Sequence, residues 1–305
     1  MKNQLSFFIL LVFFSIFAKG QSPIDTTQRE FSKLKFGLAT GGGALFYAGT
    51  LTGLYTVWYQ DNHKTNFHWT NDNDGWMQID KFGHAYTCYL FGKLGMQSMK
   101  WAGVSRNKSV IYGGSFGVLF MTSVEILDAH YLEWGASPMD MVANASGGLL
   151  LIGQELAFKK QIVTYKFSFH PTELQNYRPD ILGDAPMEQL VEDYNGQTFW
   201  LSLNLRSVFR HQKYLPNWLN IAGGYGAYGM LGGKYNTTRD IDGNLLPPID
   251  RYRSYYLSFD LDLEKIQTNN EFLKSVFFFL NLIKFPLPTV EFNELGQTKF
   301  HAFYF

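Results

Sequence analysis

The sequence predicts an α+β protein, in which a membrane-associated bundle of four helices precedes an antiparallel, β-rich half. Two observations support this fold class. Apolar residues recur at helical spacing from about residue 36 to residue 158, whereas apolar and polar residues alternate along most of the chain from about residue 162. Aromatic residues are abundant, at 17% of the chain, and charged residues are sparse, also at 17%. This composition is typical of a protein with a large lipid-facing or β-sheet surface.

The first twenty residues have the order of a cleavable secretory signal peptide. Lys2 precedes an apolar stretch over residues 5–17, and the small residues Ala18 and Gly20 follow. The apolar stretch is shorter than the ~20 residues that a bilayer span requires. Cleavage would leave a mature chain in the cell envelope. We therefore predict a signal peptide followed by two domains, over residues 1–20, 21–160 and 161–305.

Four helices are predicted in the first half, over residues 36–60, 79–101, 108–127 and 138–158. The first carries no charge, is long enough to cross a bilayer, and has an interfacial aromatic edge at Trp58 and Tyr59. The other three have shorter uncharged runs, which favours buried helices or interrupted spans. Gly113 and Gly117 have the small-xxx-small spacing that permits close packing of two helices.

Six strands are predicted in the second half, over residues 162–169, 198–209, 219–231, 251–266, 287–292 and 298–305. Within 251–266, Leu257 and Phe259 alternate with Ser258 and Asp260, so this strand has one apolar and one polar face. Such strands form either a barrel wall or a sheet packed on one side. Six strands are fewer than the ~eight that close the smallest single-chain barrels. A helix predicted over 271–283 interrupts the series.

Ionisable and amide side chains fall at helical spacings inside the apolar helices. Seven of them pair at a spacing of three or four residues, or lie directly beside such a pair: Asp80, Lys81, His84, Glu125, Asp128, Asp140 and Asn144. These spacings put two side chains on one face of a helix. Charges in an apolar bundle are costly unless they are paired or hydrated. We therefore expect each helix to offer its polar pair to a shared centre.

This ordered set resembles the pattern of the YfiM family of predicted periplasmic lipoproteins and, more distantly, that of VanZ-like membrane proteins. The resemblance spans residues 79–154 and rests on the runs 80–84, 125–128, 137–140 and 143–144. It implies that the same seven residues are the motif positions. The YfiM family has no settled activity, and VanZ-like members are linked to tolerance of glycopeptide antibiotics. This chain departs from the family because it lacks a lipoprotein cysteine and adds a long β-rich half.

Three interpretations of the polar cluster remain open. It can be a salt-bridged and hydrogen-bonded core that fixes the register of the helices. It can bind a divalent metal, because histidine and carboxylate side chains are acceptable ligands for zinc, manganese or magnesium; the candidate ligands are His84, Glu125, Asp128 and Asp140. It can also be an acid–base or headgroup-binding site, in which Lys81 and His84 hold a phosphate and the carboxylates act as bases.

The charge balance and the C-terminal residues indicate which partners and which location to expect. The 26 basic and 26 acidic residues balance, so a nucleic-acid partner is not expected. The glycines of residues 224–229 lack the strand-turn-helix context of a dinucleotide site, so no cofactor is expected there. Membrane lipid is the expected partner. Phe303 and Phe305 resemble the terminal strand of bacterial outer-membrane barrels, which favours the outer over the inner membrane, on the periplasmic side.

The leading functional hypothesis is a non-enzymatic structural or interaction protein of the cell envelope. The alternative is a metal-dependent or acid–base hydrolase or transferase that acts on envelope lipid or glycan headgroups, using the same polar residues.

Overall fold

The computed structural model describes residues 30–209, 211–212 and 214–305. The expected signal peptide therefore lies outside the described residues. The chain divides into two compact units that are discontinuous in sequence, unlike the two continuous domains predicted from periodicity. The helical unit contains the described residues up to Asn71 together with Thr87–Gln161 and Gln267–Phe279, and the sheet unit contains Asp72–Tyr86, Ile162–Ile266 and Leu280–Phe305.

Four long helices form where helical periodicity predicts them, over α1 Lys33–Leu54, α2 Ile79–Trp101, α3 Arg106–Asp128 and α4 Pro138–Phe158. A π-helical turn extends α1 over Tyr55–Tyr59, and a second one lies within α3 at Ser109–Gly113. Residues of α2 up to Tyr86 belong to the sheet unit and the later ones to the helical unit.

The backbones of α2 and α3 are in direct contact in the helical unit. A Cβ atom built on Gly117 would lie 2.2 Å from the carbonyl oxygen of Cys88, and one built on Gly113 would lie 2.6 Å from that of Gly95. A side chain larger than hydrogen does not fit at either position. The expectation that Gly113 and Gly117 permit close packing of helices is confirmed.

Among the described residues, α3 is the one helix long and apolar enough to cross a membrane. It has 23 residues, and an 18-residue window within it has a mean hydropathy of 1.6. The sequence favoured α1 as the span. That helix forms over most of the expected stretch, but glycine and threonine residues take many of its positions and lower its hydropathy.

Six strands form one antiparallel sheet in the order of the chain, over β1 Val163–Phe169, β2 Gln197–Asn204, β3 Leu219–Tyr228, β4 Tyr252–Leu261, β5 Leu287–Asn293 and β6 Thr298–Tyr304. The α+β class is thus confirmed. Within the described residues β1 and β6 do not pair with each other, so the sheet is not closed. The outer edge of β1 instead pairs with a neighbouring segment, because Phe167 N–H donates to Leu282 O at 3.2 Å and Lys284 N–H donates to Phe167 O at 2.9 Å.

Several strands end earlier than the alternation predicts, for local reasons. Asn204 Oδ1 accepts a hydrogen bond from Ser207 N–H at 2.9 Å, which turns the chain from β2 into a short helix. Gly229 has a φ of 86°, and a Cβ there would lie 2.1 Å from Asp250 O, so β3 ends at a position that requires glycine. Four further short helices follow the long ones, over α5 Pro179–Leu182, α6 Pro186–Glu192, α7 Leu205–Val208 and α8 Glu271–Leu280.

Candidate functional site

Two buried carboxylates lie close together in the helical unit. Glu125 on α3 is 1% exposed and Asp140 on α4 is 5% exposed. A carboxylate oxygen of one lies within 4.8 Å of a carboxylate oxygen of the other. Like charges at this separation in a dry interior require a shared proton or a neighbouring cation. These two predicted motif residues are therefore brought together.

The start of α4 explains why the two carboxylates meet. Ser137 caps this helix, since its Oγ accepts a hydrogen bond from Asp140 N–H at 3.2 Å. The backbone N–H of Ser137 in turn donates to Glu125 Oε2 at 3.0 Å. Asp140 lies in the first turn of α4, where the helix dipole favours a negative charge. Glu125 thus fixes the start of the helix that carries Asp140.

Asn144, one turn after Asp140, holds a second contact in the helical unit. Its Oδ1 accepts a hydrogen bond from Cys88 Sγ at 3.4 Å, and both side chains are buried. Cys88 belongs to the core cluster of Phe120, Met121 and Val124. Asn144 therefore links α4 to the packed core between α2 and α3. That this contact fixes the register of the helices remains a prediction.

Asp128 makes different contacts from Glu125, although the two are three residues apart on α3. Its Oδ1 accepts a hydrogen bond from Tyr59 Oη at 2.5 Å, and its carbonyl accepts from Gly135 N–H at 2.9 Å. Asp128 lies outside the close groups of acidic and histidine side chains found among the described residues. Its contacts tie the end of α1 to the turn after α3. Tyr59 was expected as an interfacial aromatic residue and not as a partner of the motif.

In the sheet unit, Lys81 joins two carboxylates at the start of α2. Its Nζ lies 2.6 Å from Asp72 Oδ2 and 2.9 Å from Asp80 Oδ2, and Lys81 is 8% exposed. His84 follows one turn later and is partly buried. Sequence reasoning missed Asp72, which stands in a polar loop, where an acidic residue is usually solvated. Lys81 therefore neutralises acidic side chains, and the expectation that it holds a phosphate remains a prediction.

A second polar network fills the buried face of the sheet. Lys166 Nζ on β1 lies 2.8 Å from Asp260 Oδ2 on β4, and the side chain of each is 0% exposed. Lys284 Nζ lies 3.8 Å from Asp260 Oδ1, and Ser202 Oγ donates to Asp260 Oδ2 at 2.5 Å. Asn220 Nδ2 extends the network by donating to Ser202 at 2.8 Å. None of these residues was a predicted site residue, because each is a single polar residue in a strand or loop.

The opposite face of the sheet, here called the outer face, is apolar. It is exposed on much of β2, β4 and β6, whereas Tyr165 on β1 and Phe199 on β2 are 5% and 4% exposed and contact Phe82 at the start of α2. One row of Cα partners crosses all six strands, and its members are Tyr165, Leu201, Gly223, Leu257, Val290 and Phe300. Leu201 is 48% exposed, Leu257 is 49% exposed and Phe300 is 70% exposed. The sheet thus has the reverse of the polarity expected of a sheet in water.

Together, these features define an α+β protein with inverted polarity in its sheet and a buried carboxylate pair in its helical unit. Residues 67–152 match the model of the family DUF2279, which is described as a predicted periplasmic lipoprotein. The matched region contains all seven motif residues. It supports a periplasmic cell-envelope protein that resembles a family of unknown function. Neither the curated proteins nor the solved structures contain a significant match to the chain.

Proposed function

We propose that the chain is a non-enzymatic structural protein of the cell envelope, embedded in a membrane through the outer face of its sheet. The observation that carries this proposal is the order of exposure along β4. Leu257 and Phe259 are 49% and 55% exposed, whereas Ser258 and Asp260 are 4% and 0% exposed. In water this arrangement exposes apolar surface and desolvates a charge, both at a free-energy cost. In a bilayer the exposed apolar side chains would contact lipid hydrocarbon, while the polar side chains stay inside the sheet unit.

The dimensions of the sheet support the same proposal. The strands β3 and β4 each contain ten residues, and a membrane-crossing strand needs ~9–11. Backbone groups in hydrocarbon must also be paired. The pairing of Phe167 with the segment at Leu282 and Lys284 satisfies backbone groups on the outer edge of β1.

Helix α4 in the helical unit shows the same inversion of polarity as the sheet. Asp140 and Glu155 are buried, at 5% and 6% exposure, whereas Val142 and Leu149 are 58% and 69% exposed. A helix whose charged side chains are buried and whose apolar side chains are exposed is typical of a lipid environment. In this proposal Glu125, Asp140 and Asn144 hold the helices in register and perform no chemistry.

The outer membrane is the membrane we propose. Strands with one polar and one apolar face are the spanning elements of outer-membrane proteins, and the family match supports the periplasmic side of the envelope. The resemblance of the motif to the YfiM family and to VanZ-like membrane proteins supports membrane association of the helical unit.

Retention in membranes tests the proposal. Leu257→Arg and Leu201→Arg place a charge on the outer face of the sheet, where lipid contact would cost ~2–4 kcal/mol at the bilayer midplane. Leu245→Arg is the matched control, because Leu245 is 75% exposed in the connection between β3 and β4. We expect the first two variants, but not the third, to be lost from carbonate-washed membranes. Equal retention of all three would contradict lipid contact.

The proximity of Glu125 and Asp140 favours a second candidate function, the binding of a divalent cation. Two carboxylates within 4.8 Å of each other can share manganese, magnesium or zinc. The prediction that His84 and Asp128 also contribute ligands remains a prediction. A bound metal would support the alternative of a metal-dependent hydrolase or transferase acting on envelope headgroups.

Metal content distinguishes the two candidates. The mature chain is purified in detergent, incubated with Mn²⁺ and desalted, and the bound metal is counted in wild type and in four variants: Glu125→Gln, Asp140→Asn, Asp128→Asn and His84→Ala. A metal site predicts one Mn²⁺ in wild type and its loss from Glu125→Gln and Asp140→Asn without unfolding. The structural proposal predicts no bound Mn²⁺ in wild type and lower thermal stability in both variants. Loss from Asp128→Asn or His84→Ala would add that residue to the ligand set.

A further inference from the structure

We infer that a cavity in the sheet unit binds a single neutral sugar ring. The cavity has a volume of about 190 Å³ and lies on the polar face of the sheet. Its walls include four tyrosines from three strands: Tyr228, Tyr252, Tyr256 and Tyr304. Ordinary ligand pockets begin at ~300 Å³, so this cavity accepts one ring and not an extended chain.

The polar wall of the cavity centres on Glu291, which is 5% exposed. Ser254 Oγ donates to Glu291 Oε1 at 2.9 Å, and His301 Nε2 lies 2.8 Å from Glu291 Oε2. These two contacts hold the carboxylate in one orientation. A fixed, buried carboxylate is a strong acceptor for ligand hydroxyl groups, because charge-assisted hydrogen bonds are roughly twice as strong as neutral ones.

The tyrosines provide the apolar surface that the ring carbons of a sugar require. The ring centroids of Tyr256 and Tyr304 lie 4.6 Å apart at an interplanar angle of 35°, and those of Tyr228 and Tyr252 lie 5.8 Å apart at 42°. The two rings of each pair pack against each other, and all four rings also contribute apolar surface to the cavity wall. Aromatic faces beside a fixed carboxylate match a molecule with C–H groups on its ring face and hydroxyls at its rim.

The charges of the cavity favour a neutral ligand. Glu291 is the cross-strand partner of Lys299, which also lines the cavity, so the two formal charges balance. Burial lowers the pKa of His170, another lining residue, below its ordinary value of 6.5, and its imidazole is therefore neutral at pH 7. A phosphate or a fatty acid would meet the carboxylate of Glu291 at the cost of like-charge repulsion. Among the described residues, the close groups of metal-ligand type lie elsewhere.

This inference is independent of the membrane proposal. Lipid contact concerns the outer face of the sheet, whereas the cavity lies on the opposite face. Tyr252 and Tyr255 make the distinction testable, because they lie three residues apart on β4 and therefore on opposite faces, and of the two only Tyr252 lines the cavity. Loss of one property therefore need not affect the other.

Saturation-transfer NMR on the mature chain tests the inference. The probes are methyl glycosides of glucose, galactose, mannose and N-acetylglucosamine, and the detergent must carry no sugar headgroup, since a maltoside would compete. We expect transfer to at least one glycoside, and at least tenfold weaker binding in Tyr252→Leu and in Glu291→Gln. Tyr255→Leu is the matched control and should bind as wild type does.

Two results would overturn the inference. One is the absence of transfer to all four glycosides from wild type that is folded by circular dichroism. The other is binding that survives unchanged in Tyr252→Leu and Glu291→Gln. Should Glu291→Gln fail to fold, Tyr252→Leu still decides, because Tyr252 is partly exposed and contributes to the cavity wall and not to the ion pairs of the sheet.

Discussion

Lys166 Nζ and Asp260 Oδ2 lie 2.8 Å apart inside the sheet unit, and neither side chain is exposed to solvent. The pair connects β1 to β4 across the polar face, with β2 and β3 between them in the sheet. A buried ion pair of this kind requires further hydrogen bonds to offset its desolvation. Lys166 obtains one from Leu261 O at 2.6 Å and another from Asn281 Oδ1 at 3.1 Å.

Removing the carboxylate of this pair should destabilise the sheet unit strongly. Asp260→Asn leaves Lys166 and Lys284 buried without their shared counter-charge, and we expect a loss of about 3–5 kcal/mol in the free energy of unfolding. Denaturant unfolding in detergent measures it. The control is Glu294→Gln, which removes an exposed partner of Arg253 at 3.1 Å and should cost less than about 1 kcal/mol. Similar losses in both variants would show that the buried pair contributes no more to the free energy of unfolding than an exposed pair does.

The cap of α4 offers a second prediction. Ser137→Ala removes the Oγ that accepts from Asp140 N–H, and the loss of an N-cap costs about 1 kcal/mol. Ser146→Ala in the same helix removes an Oγ that only donates to Ala143 O at 2.7 Å, so its effect should stay within about 0.5 kcal/mol. Thermal unfolding followed by circular dichroism compares the two variants. A Ser137→Ala variant as stable as Ser146→Ala would contradict the role of the cap.

The contact between α2 and α3 gives a third prediction. Gly117→Ala places a Cβ 2.2 Å from the carbonyl oxygen of Cys88, so the helices must separate, at a cost of about 1–3 kcal/mol. Gly153 on α4 has no atom within 4 Å of an added Cβ, and Gly153→Ala should be neutral or stabilise by up to about 1 kcal/mol. Chemical denaturation of both variants measures the difference. We expect Gly117→Ala to destabilise the protein and Gly153→Ala not to, and a tolerated Gly117→Ala would refute the close contact.

The start of α5 gives a prediction for pH. The Arg178 guanidinium donates to both carboxylate oxygens of Asp180, at 2.9 and 2.8 Å, and holds the pKa of Asp180 below its ordinary value of 3.8. A carboxyl with a depressed pKa stabilises the folded state above that ordinary value, and the contribution disappears as the pH falls through the lower, folded value. Arg178 also donates to Leu231 O at 3.0 Å, and this bond does not depend on the charge of Asp180.

A carboxyl ¹³C NMR titration measures this shift. The midpoint for Asp180 should lie below 3.8 in wild type and return close to 3.8 in Arg178→Met. An unchanged midpoint in the variant would rule out Arg178 as the cause.

Much of the fold follows from periodicity. The four long helices and six strands form near their predicted positions because each has a long run of apolar residues at the appropriate spacing. Strand ends were less predictable, since Asn204 and Gly229 act through single contacts. Alternation also does not show which face is buried. Leu257 and Asp260 predict a two-faced strand, but only the fold reveals that the side with Asp260 is the inner one.

The candidate site was predictable in part. Asp140 and Asn144 share a helical face as their spacing indicates, and Glu125 joins Asp140 because of the turn before α4. Asp128 has the same spacing to Glu125 that predicts a common face, yet Tyr59 provides a different partner for it. Lys166 is one charge in a strand, and no spacing rule identifies a partner that lies 94 residues further along the chain. Long-range pairs of this kind require the tertiary fold.

Depth-dependent quenching of fluorescence tests whether the outer face of the sheet contacts lipid. A fluorophore is attached to a single cysteine, either Leu257→Cys or Leu245→Cys, in a Cys88→Ala background. Each labelled protein is then reconstituted into vesicles that contain doxyl-labelled phospholipids. Contact of the outer face with lipid predicts strong quenching by acyl-chain doxyl groups at position 257 and little at position 245. Weak and equal quenching at both positions would contradict it.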